Sequence, residues 1–190
     1  MEEQIMNMPA VALRGLTILP GMIAHFDISR ERSLRAVEEA MEQDQKIYLV
    51  TQRNVDSEDP TQEDLYQMGI VADIKQVVRL QNDVVRILVD GISRATLLGF
   101  TDNEKYLEAE ICYCDSNADS LPEDLREAML LGVREAFHRY AAVVGKISKE
   151  LIRQIDQYED LEKLIDYVTN NLPVSYELKQ QVLEAEAVSY

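Results

Sequence analysis

Residues 69–95 read GIVADIKQVVRLQNDVVRILVDGISRA and contain the signals that decide the fold. β-Branched and apolar residues dominate both arms of this stretch, a composition typical of strands. Between the arms lie Asn82 and Asp83, which tolerate the left-handed backbone of a tight hairpin. Further on, Asp90-Gly91 predicts a break or a bulge in the returning strand. The stretch therefore predicts a long antiparallel hairpin.

Shorter strand signals flank this hairpin on both sides. Pro20-Gly21 is a turn signal between two of them. Ser29 is the predicted N-cap of one amphipathic helix over residues 30–44. Several short strands with a single helix predict a small barrel or rolled sheet. The remaining predicted strands are 11–13, 22–28, 46–52, 94–100 and 107–113.

The pattern changes at the polar linker 115–120, DSNADS. Beyond it, apolar residues recur at spacings of three and four, which is the period of a helix. Gly145 and Ser148 mark a helix end and the next helix start. Short helices need each other's apolar faces to be stable, so this part predicts an α-helical bundle. We therefore predict an α+β fold with a β-rich subdomain at 1–116 and a helical bundle at 117–190.

Charge and hydropathy exclude several classes of partner. The 190 residues contain 35 acidic and 19 basic side chains, giving a net charge of −16. Nucleic acids and anionic membranes require a basic surface, which this composition opposes. No apolar run reaches the roughly 18 residues of a membrane span, and the N-terminus lacks the pattern of a signal peptide. We expect a soluble, cytoplasmic protein that binds neither nucleic acid nor membrane.

The sequence contains no recognisable pattern for catalysis, metal binding or cofactor binding. The two cysteines, Cys112 and Cys114, are too close for an unstrained disulfide and are interpreted as reduced thiols. Neither His25 nor His138 has a partner at ligand spacing. No Walker-type loop, no G-x-S-x-G turn and no H-E-x-x-H helix is present. We therefore expect no enzymatic activity, no metal and no cofactor in this chain.

Apolar residues in predicted turns form the candidate site. The stretch 16–23, LTILPGMI, surrounds a Pro-Gly turn, and Leu80 lies at the predicted hairpin tip. Turns normally lie at the surface and are polar. These side chains either fold back and cap the barrel, or form an adaptable apolar binding patch. The second interpretation gives the candidate binding residues Leu19, Pro20, Met22, Ile23 and Leu80.

Short motifs also occur in a fixed order along the chain. Leu-Arg at 13–14 precedes Pro-Gly-Met at 20–22, and VRILVDG at 85–91 precedes Ile-Ser-Arg-Ala at 92–95. Leu-Pro at 172–173 is a looser match near the end. Together these motifs resemble the N-terminal domain of Lon, the ATP-dependent bacterial protease, over nearly the whole chain.

The resemblance implies a PUA-like rolled β-sheet or pseudo-barrel, followed by an α-helical bundle. It implies that the chain is one domain of a serine endopeptidase whose other modules use ATP and Mg. Within that family, the domain recognises unfolded, misfolded or degron-bearing protein substrates and helps to organise a homo-hexamer. As an isolated domain it could form a dimer.

Two other functions remain open at this point. The chain could be a stand-alone adaptor that binds proteins without a protease of its own. RNA binding is a third reading, by analogy with PUA-like folds, but fold analogy is weak support and the net charge of −16 opposes it.

Overall fold

The computed structural model describes residues 5–114 and 121–185. It divides into two compact units, which we call the β unit and the helical unit. The β unit comprises Met1–Cys114 and Ser175–Glu184; the helical unit comprises Asp115–Val174 and Ala185–Tyr190. The predicted linker 115–120 lies outside the described residues.

Among its described residues, the β unit contains one mixed sheet of six strands. The predicted strands 84–89 and 94–100 are one strand in the structure, because a register shift at Ile92 absorbs the irregularity after Gly91. The Asp90-Gly91 signal therefore marks a bulge and not a strand end. The strands are β1 (Ile5–Leu13), β2 (Ile23–Ile28), β3 (Lys46–Thr51), β4 (Met68–Arg79), β5 (Val85–Phe100) and β6 (Glu108–Tyr113).

Five of the strands close into a barrel. The strand order is β2-β5-β4-β3-β1-β6, and β5 also pairs with β6. Only β1 and β3 run parallel; the other pairs are antiparallel. β2 pairs with the first half of β5 and lies outside the closed ring, so one of its edges has no strand partner among the described residues. The predicted α+β class is thus confirmed as a mixed sheet with helices.

Two apolar clusters, one on each face of the sheet, explain why the strand sequences are apolar at consecutive positions. Tyr48 and Val50 of β3 belong to a cluster to which all five barrel strands contribute. Ile47 and Leu49 of the same strand pack on the other side, with the apolar face of helix α1 (Glu31–Glu42). A strand buried on both faces needs apolar residues at every position rather than at alternate ones.

Helix α1 begins one residue later than predicted. Arg30 occupies the N-cap position, and no side chain caps the helix there. The prediction of Ser29 as N-cap is therefore wrong, because Ser29 lies one position before the cap, where it cannot close the first turn.

Three helices of the helical unit pack around one apolar cluster that includes Phe137, Ile155 and Leu164. Gly145, with φ of 66°, ends the first, and the Ser148 hydroxyl accepts a hydrogen bond from Leu151 N at 3.1 Å at the start of the second. Within the described ranges, no helix has the length and apolarity needed to cross a membrane. The helices are α2 (Glu123–Val144), α3 (Lys149–Gln157) and α4 (Leu161–Asn171).

The last helix, α5 (Tyr176–Glu184), belongs to the β unit. Its Gln180 side chain is 1% exposed and donates a hydrogen bond to the Met68 carbonyl at 3.0 Å. Thr17 donates to the same side chain at 3.3 Å. The prediction that 117–190 forms one bundle is therefore wrong for α5. Its periodicity showed an apolar face, but only tertiary contacts decide which core that face joins.

Candidate functional site

The Pro-Gly turn before β2 has a defined geometry. Met22 N donates a hydrogen bond to Leu19 O at 3.1 Å, and Gly21 has φ of 72°. Proline at the second position and a left-handed glycine at the third are what a type II turn requires. The sequence therefore fixes the shape of this turn locally.

The turn packs directly on β5, and this contact buries one of its apolar side chains. Gly21 N donates to Gly91 O at 2.8 Å, and Gly91 N donates to Met22 O at 3.0 Å. A Cβ atom at Gly91 would lie 2.4 Å from Leu19 O, so only glycine permits this approach. Leu19 is 0% exposed. Its prediction as a binding residue is therefore wrong, because its side chain packs in the interior of the β unit.

Other side chains of the same turn face the solvent. Ile23 is 68% exposed, and Ile92 of β5 is 46% exposed. Pro20 and Met22 are half-buried, and Met22 packs against the core with its inner part. Ile92 follows Gly91 directly and so lies beside the turn. We call Pro20, Met22, Ile23 and Ile92 the turn surface.

Ile92 is the member of this surface that sequence reasoning missed. It sits immediately after Asp90-Gly91, at the bulge in β5. An apolar β-branched residue following a bulge glycine looks like an ordinary strand residue. The available signal was the bulge itself, since bulges re-aim a side chain out of the regular alternation.

Leu80 lies elsewhere. It is 40% exposed at the tip of the β4–β5 hairpin, where its N–H donates to Val84 O at 2.8 Å. Ile23 of the turn surface pairs with Asp90 of β5, and Asp90 lies six residues along the chain from Val84 at the hairpin tip. At about 3.4 Å per residue, roughly 20 Å separate Leu80 from the turn surface. The structure therefore does not bring the predicted residues together in one patch.

Charged residues beside the turn surface neutralise one another. Asp73 lies 3.2 Å from the ammonium of Lys46 and 3.1 Å from that of Lys75. The hydrogen bond from Lys75 holds the pKa of Asp73 below its ordinary value, against an opposing effect of burial. Lys75 also approaches Asp90 at 3.9 Å. An apolar surface next to compensated charges attracts ligands mainly through apolar contact.

The residues considered for catalysis or metal binding have structural surroundings. Cys112 and Cys114 form no disulfide and are half-buried, and the sulfur of Cys114 lies 3.6 Å from that of Met68. His138 pairs with Asp156 at 2.8 Å, and His25 is exposed on β2. Over the part of the chain that the structure describes, no group of three or more His, Cys, Asp or Glu side chains could hold a metal ion.

Comparison with solved structures shows which proteins share this fold. The N-terminal domain of the Mycobacterium avium complex Lon protease superposes with a TM-score of 0.76 at 17% identity, covering 95% of this chain and 90% of that one. The Lon N-terminal domain protein from Xanthomonas campestris gives a TM-score of 0.63 at 14% identity, covering 96% of this chain and 92% of that one.

Proteins with similar sequences are also Lon proteases. A Lon protease of Lachnoclostridium phytofermentans is 37% identical over 185 residues, which are 97% of this chain and 23% of the relative. Lon protease 1 of Bacillus subtilis is 31% identical over 187 residues, covering 98% of this chain and 24% of the relative. The chain thus spans about a quarter of the length of these curated relatives.

A family profile described as the ATP-dependent protease La (LON) substrate-binding domain matches residues 7–190. This match covers both the β unit and the helical unit. The chain therefore belongs to the family of Lon substrate-binding domains.

Proposed function

We propose that this chain recruits unfolded, misfolded or degron-bearing proteins to a Lon protease and binds them through the turn surface. The observation that carries the proposal is the exposure of Ile23 (68%) and Ile92 (46%) beside a turn that is hydrogen-bonded to β5. Unfolded chains expose apolar side chains that folded proteins bury, so an exposed apolar surface discriminates between the two states.

The size of this surface sets the expected affinity. Fully burying an isoleucine side chain contributes about 1.5–3 kcal/mol. Two partly exposed isoleucines and two half-buried neighbours therefore supply only a few kcal/mol beyond the entropy lost on association. We expect a dissociation constant that is micromolar or weaker for the isolated domain, which allows a bound client to be released.

A homo-hexameric parent would compensate for this weak binding. Six copies held together raise the effective concentration of sites, so several weak contacts on one client act jointly. ATP hydrolysis and peptide-bond cleavage would then belong to other modules of the parent, while this chain binds and holds the client.

The absence of tryptophan from this chain gives a direct binding assay. The domain is titrated into a tryptophan-containing client, once natively folded and once held permanently unfolded, and the client's tryptophan fluorescence is followed. We expect saturable binding of the unfolded form only. Equal binding of both forms, or of neither at several hundred micromolar, contradicts the proposal for the isolated domain.

Matched variants locate the surface. Ile92→Ser and Ile23→Ser should each weaken binding of the unfolded client several-fold, because each removes exposed apolar area from the turn surface. Leu98→Ser is the control, since Leu98 lies on the same strand as Ile92 and is similarly exposed at 42%. If Leu98→Ser weakens binding as much as Ile92→Ser, the site is not the turn surface. Circular dichroism and urea unfolding check that all three variants fold.

A further inference from the structure

A second surface feature of the β unit lies at the opposite end of β2 from the turn surface. It is a cavity of about 450 Å³ between the start of α1 and the end of β1. Pockets of this size hold small ligands or a few residues of a peptide. Leu16, Phe26 and Ile28 line its apolar part, and Arg14, Arg30 and Ser33 line its polar part.

The two arginines of this cavity have no carboxylate partner. Within the described residues, no acidic oxygen lies within 4.0 Å of either guanidinium, although the chain has 35 acids and 19 bases. Arg14 donates to Ser57 O at 3.0 Å, and Arg30 donates to Gln52 Oε1 at 2.6 Å. Burial lowers the pKa of Arg30, and the nearby charge of Arg14 lowers it further. The charges of Asp59 and Glu58 oppose this effect without contacting the guanidinium groups, so an anion in direct contact would stabilise the two arginines.

The first turn of α1 adds uncapped donors to the same place. Leu34 N makes the first helical hydrogen bond, to Arg30 O at 3.0 Å, so the N–H groups of residues 31–33 have no helical partner. No side chain caps them. Ser33 is 5% exposed and lines the cavity beside this first turn. The Ser33 hydroxyl is therefore a further donor that an acceptor in the cavity could use.

Two carboxylates also line this cavity. Asp27 is held by Arg86 through two hydrogen bonds of 2.7 and 2.9 Å, so its charge is already compensated. Glu58 is exposed, and Asp59 and Glu58 each raise the pKa of Arg30 less than Arg14 lowers it. The groups that face the polar part of the cavity are therefore mainly donors.

We propose that this cavity binds an oxyanion, and that its ligand is the C-terminal carboxylate of a client polypeptide. Arg14, Arg30 and the first turn of α1 donate to the carboxylate, and the apolar part takes the side chain of the last residue. The cavity and the turn surface lie at the two ends of β2, whose six residues span about 17–20 Å. A client segment of about six residues can therefore reach both. This inference rests on the proposed function, because it names which part of the client is recognised.

Terminal carboxylates and inorganic phosphate share the chemistry that this site recognises, so the experiment separates them. An apolar hexapeptide, labelled with fluorescein at its N-terminus, is prepared with a free C-terminal carboxylate and with a C-terminal amide. Binding to the whole domain is measured by fluorescence anisotropy, with inorganic phosphate as a competitor. We expect the free acid to bind at least tenfold more tightly than the amide.

Variants assign this preference to the cavity. Arg30→Gln should reduce the tenfold preference to about unity. Arg14→Gln should do the same and leaves the hydrogen bond between Arg30 and buried Gln52 in place. Arg35→Gln is the matched control, because Arg35 lies on α1 but pairs with Glu31. It should leave the preference unchanged. If Arg30→Gln unfolds the domain, Arg14→Gln alone decides the outcome.

The outcomes separate this inference from the proposed function. Equal binding of free acid and amide overturns the inference, and competition by phosphate in that case makes the cavity an inorganic-anion site only. Ile23→Ser should weaken both peptides by the same factor and keep their ratio. A further outcome is that the ratio of the two affinities stays tenfold while Ile23→Ser and Ile92→Ser leave the binding of unfolded clients unchanged. That result contradicts the proposed turn surface and supports the carboxylate site.

Discussion

Two turns of the β unit present apolar residues, and they do so in different ways. The Leu19–Met22 turn is hydrogen-bonded to Gly91 in both directions and buries Leu19 completely. Among the described residues, the backbone hydrogen bonds at the hairpin tip run from Leu80 N to Val84 O and from Val84 N to Gln81 O, and Leu80 remains 40% exposed. Both turns use left-handed backbone, at Gly21 in the first and at Asn82 and Asp83 in the second.

This difference shows why an apolar turn is not by itself a binding site. In the first turn, buried Leu19 and the two hydrogen bonds with Gly91 fix the backbone, and exposed Ile23 and Ile92 are thereby held in place. A surface that is ordered before binding loses less conformational entropy when a client arrives. Leu80 is itself 40% exposed, whereas Leu19 is 0% exposed, so the hairpin tip is less firmly packed and its preorganisation is weaker.

Truncating one leucine in each turn should give the largest contrast. Leu19→Ala removes a fully buried side chain and should lower the free energy of unfolding by about 2–5 kcal/mol. Leu80→Ala, at a half-solvated tip, should cost less than about 1 kcal/mol. Urea unfolding measures both. Equal costs would mean that the hairpin tip is packed as firmly as the Pro-Gly turn.

Adding a methyl group at either of two glycines of β5, one beside the Leu19–Met22 turn and one far from it, should give an intermediate effect. Gly91→Ala places Cβ 2.4 Å from Leu19 O and 2.9 Å from Ile70 Cδ1, so we expect a loss of about 1–3 kcal/mol. Gly99→Ala on the same strand meets only Gln62 Oε1 at 3.9 Å and should be neutral or slightly stabilising. Thermal unfolding of the pair tests this. A neutral Gly91→Ala would show that the turn does not need its close contact with β5.

The smallest effect concerns the ion pairs between the two regions. Asp73→Asn should lower the free energy of unfolding by less than about 1 kcal/mol at pH 7, because the carboxylate is partly solvated. The lowered pKa of Asp73 means that its ionised form stabilises the folded state above the ordinary value of 3.8. That contribution disappears as the pH falls through the lower folded-state value.

The difference between Asp73→Asn and the parent sequence should therefore close as the pH is lowered below about 4. Asp83→Asn, at the hairpin tip and without an ion pair among the described residues, is the control and should show little difference at any pH. Urea unfolding at pH 7, 5 and 3 makes the comparison. A gap for Asp73→Asn that persists at pH 3 would assign its role to shape and not to charge.

Local signals in the sequence were sufficient for most of the fold. Alternating and β-branched runs predicted the strands, and Gly145 and Ser148 predicted a helix end and a helix start that the structure contains. Two predictions are wrong for different reasons. Arg30, and not the neighbouring Ser29, occupies the N-cap position of α1. Helix α5 joins the β unit through contacts that lie far away in sequence.

The candidate site was harder to predict than the fold. Pro20, Met22 and Ile23 were identified because apolar residues around a turn are unusual. The same rule wrongly included Leu19 and joined Leu80 to a surface about 20 Å away. It missed Ile92, because a bulge changes which face a strand residue occupies and its position depends on the partner strand.

The sequence by itself determined the strand and helix periods, the type II turn at Pro20-Gly21 and the Lon resemblance, because each depends on residues close together in the chain. Tertiary structure alone decided that the Leu19 carbonyl packs against Gly91 and that α5 joins the β unit. It also decided that Arg14 and Arg30 line one cavity, with no carboxylate within 4.0 Å of either guanidinium among the described residues. Burial and charge pairing are properties of neighbours in space, and those neighbours are 16 to 70 or more residues apart along the chain.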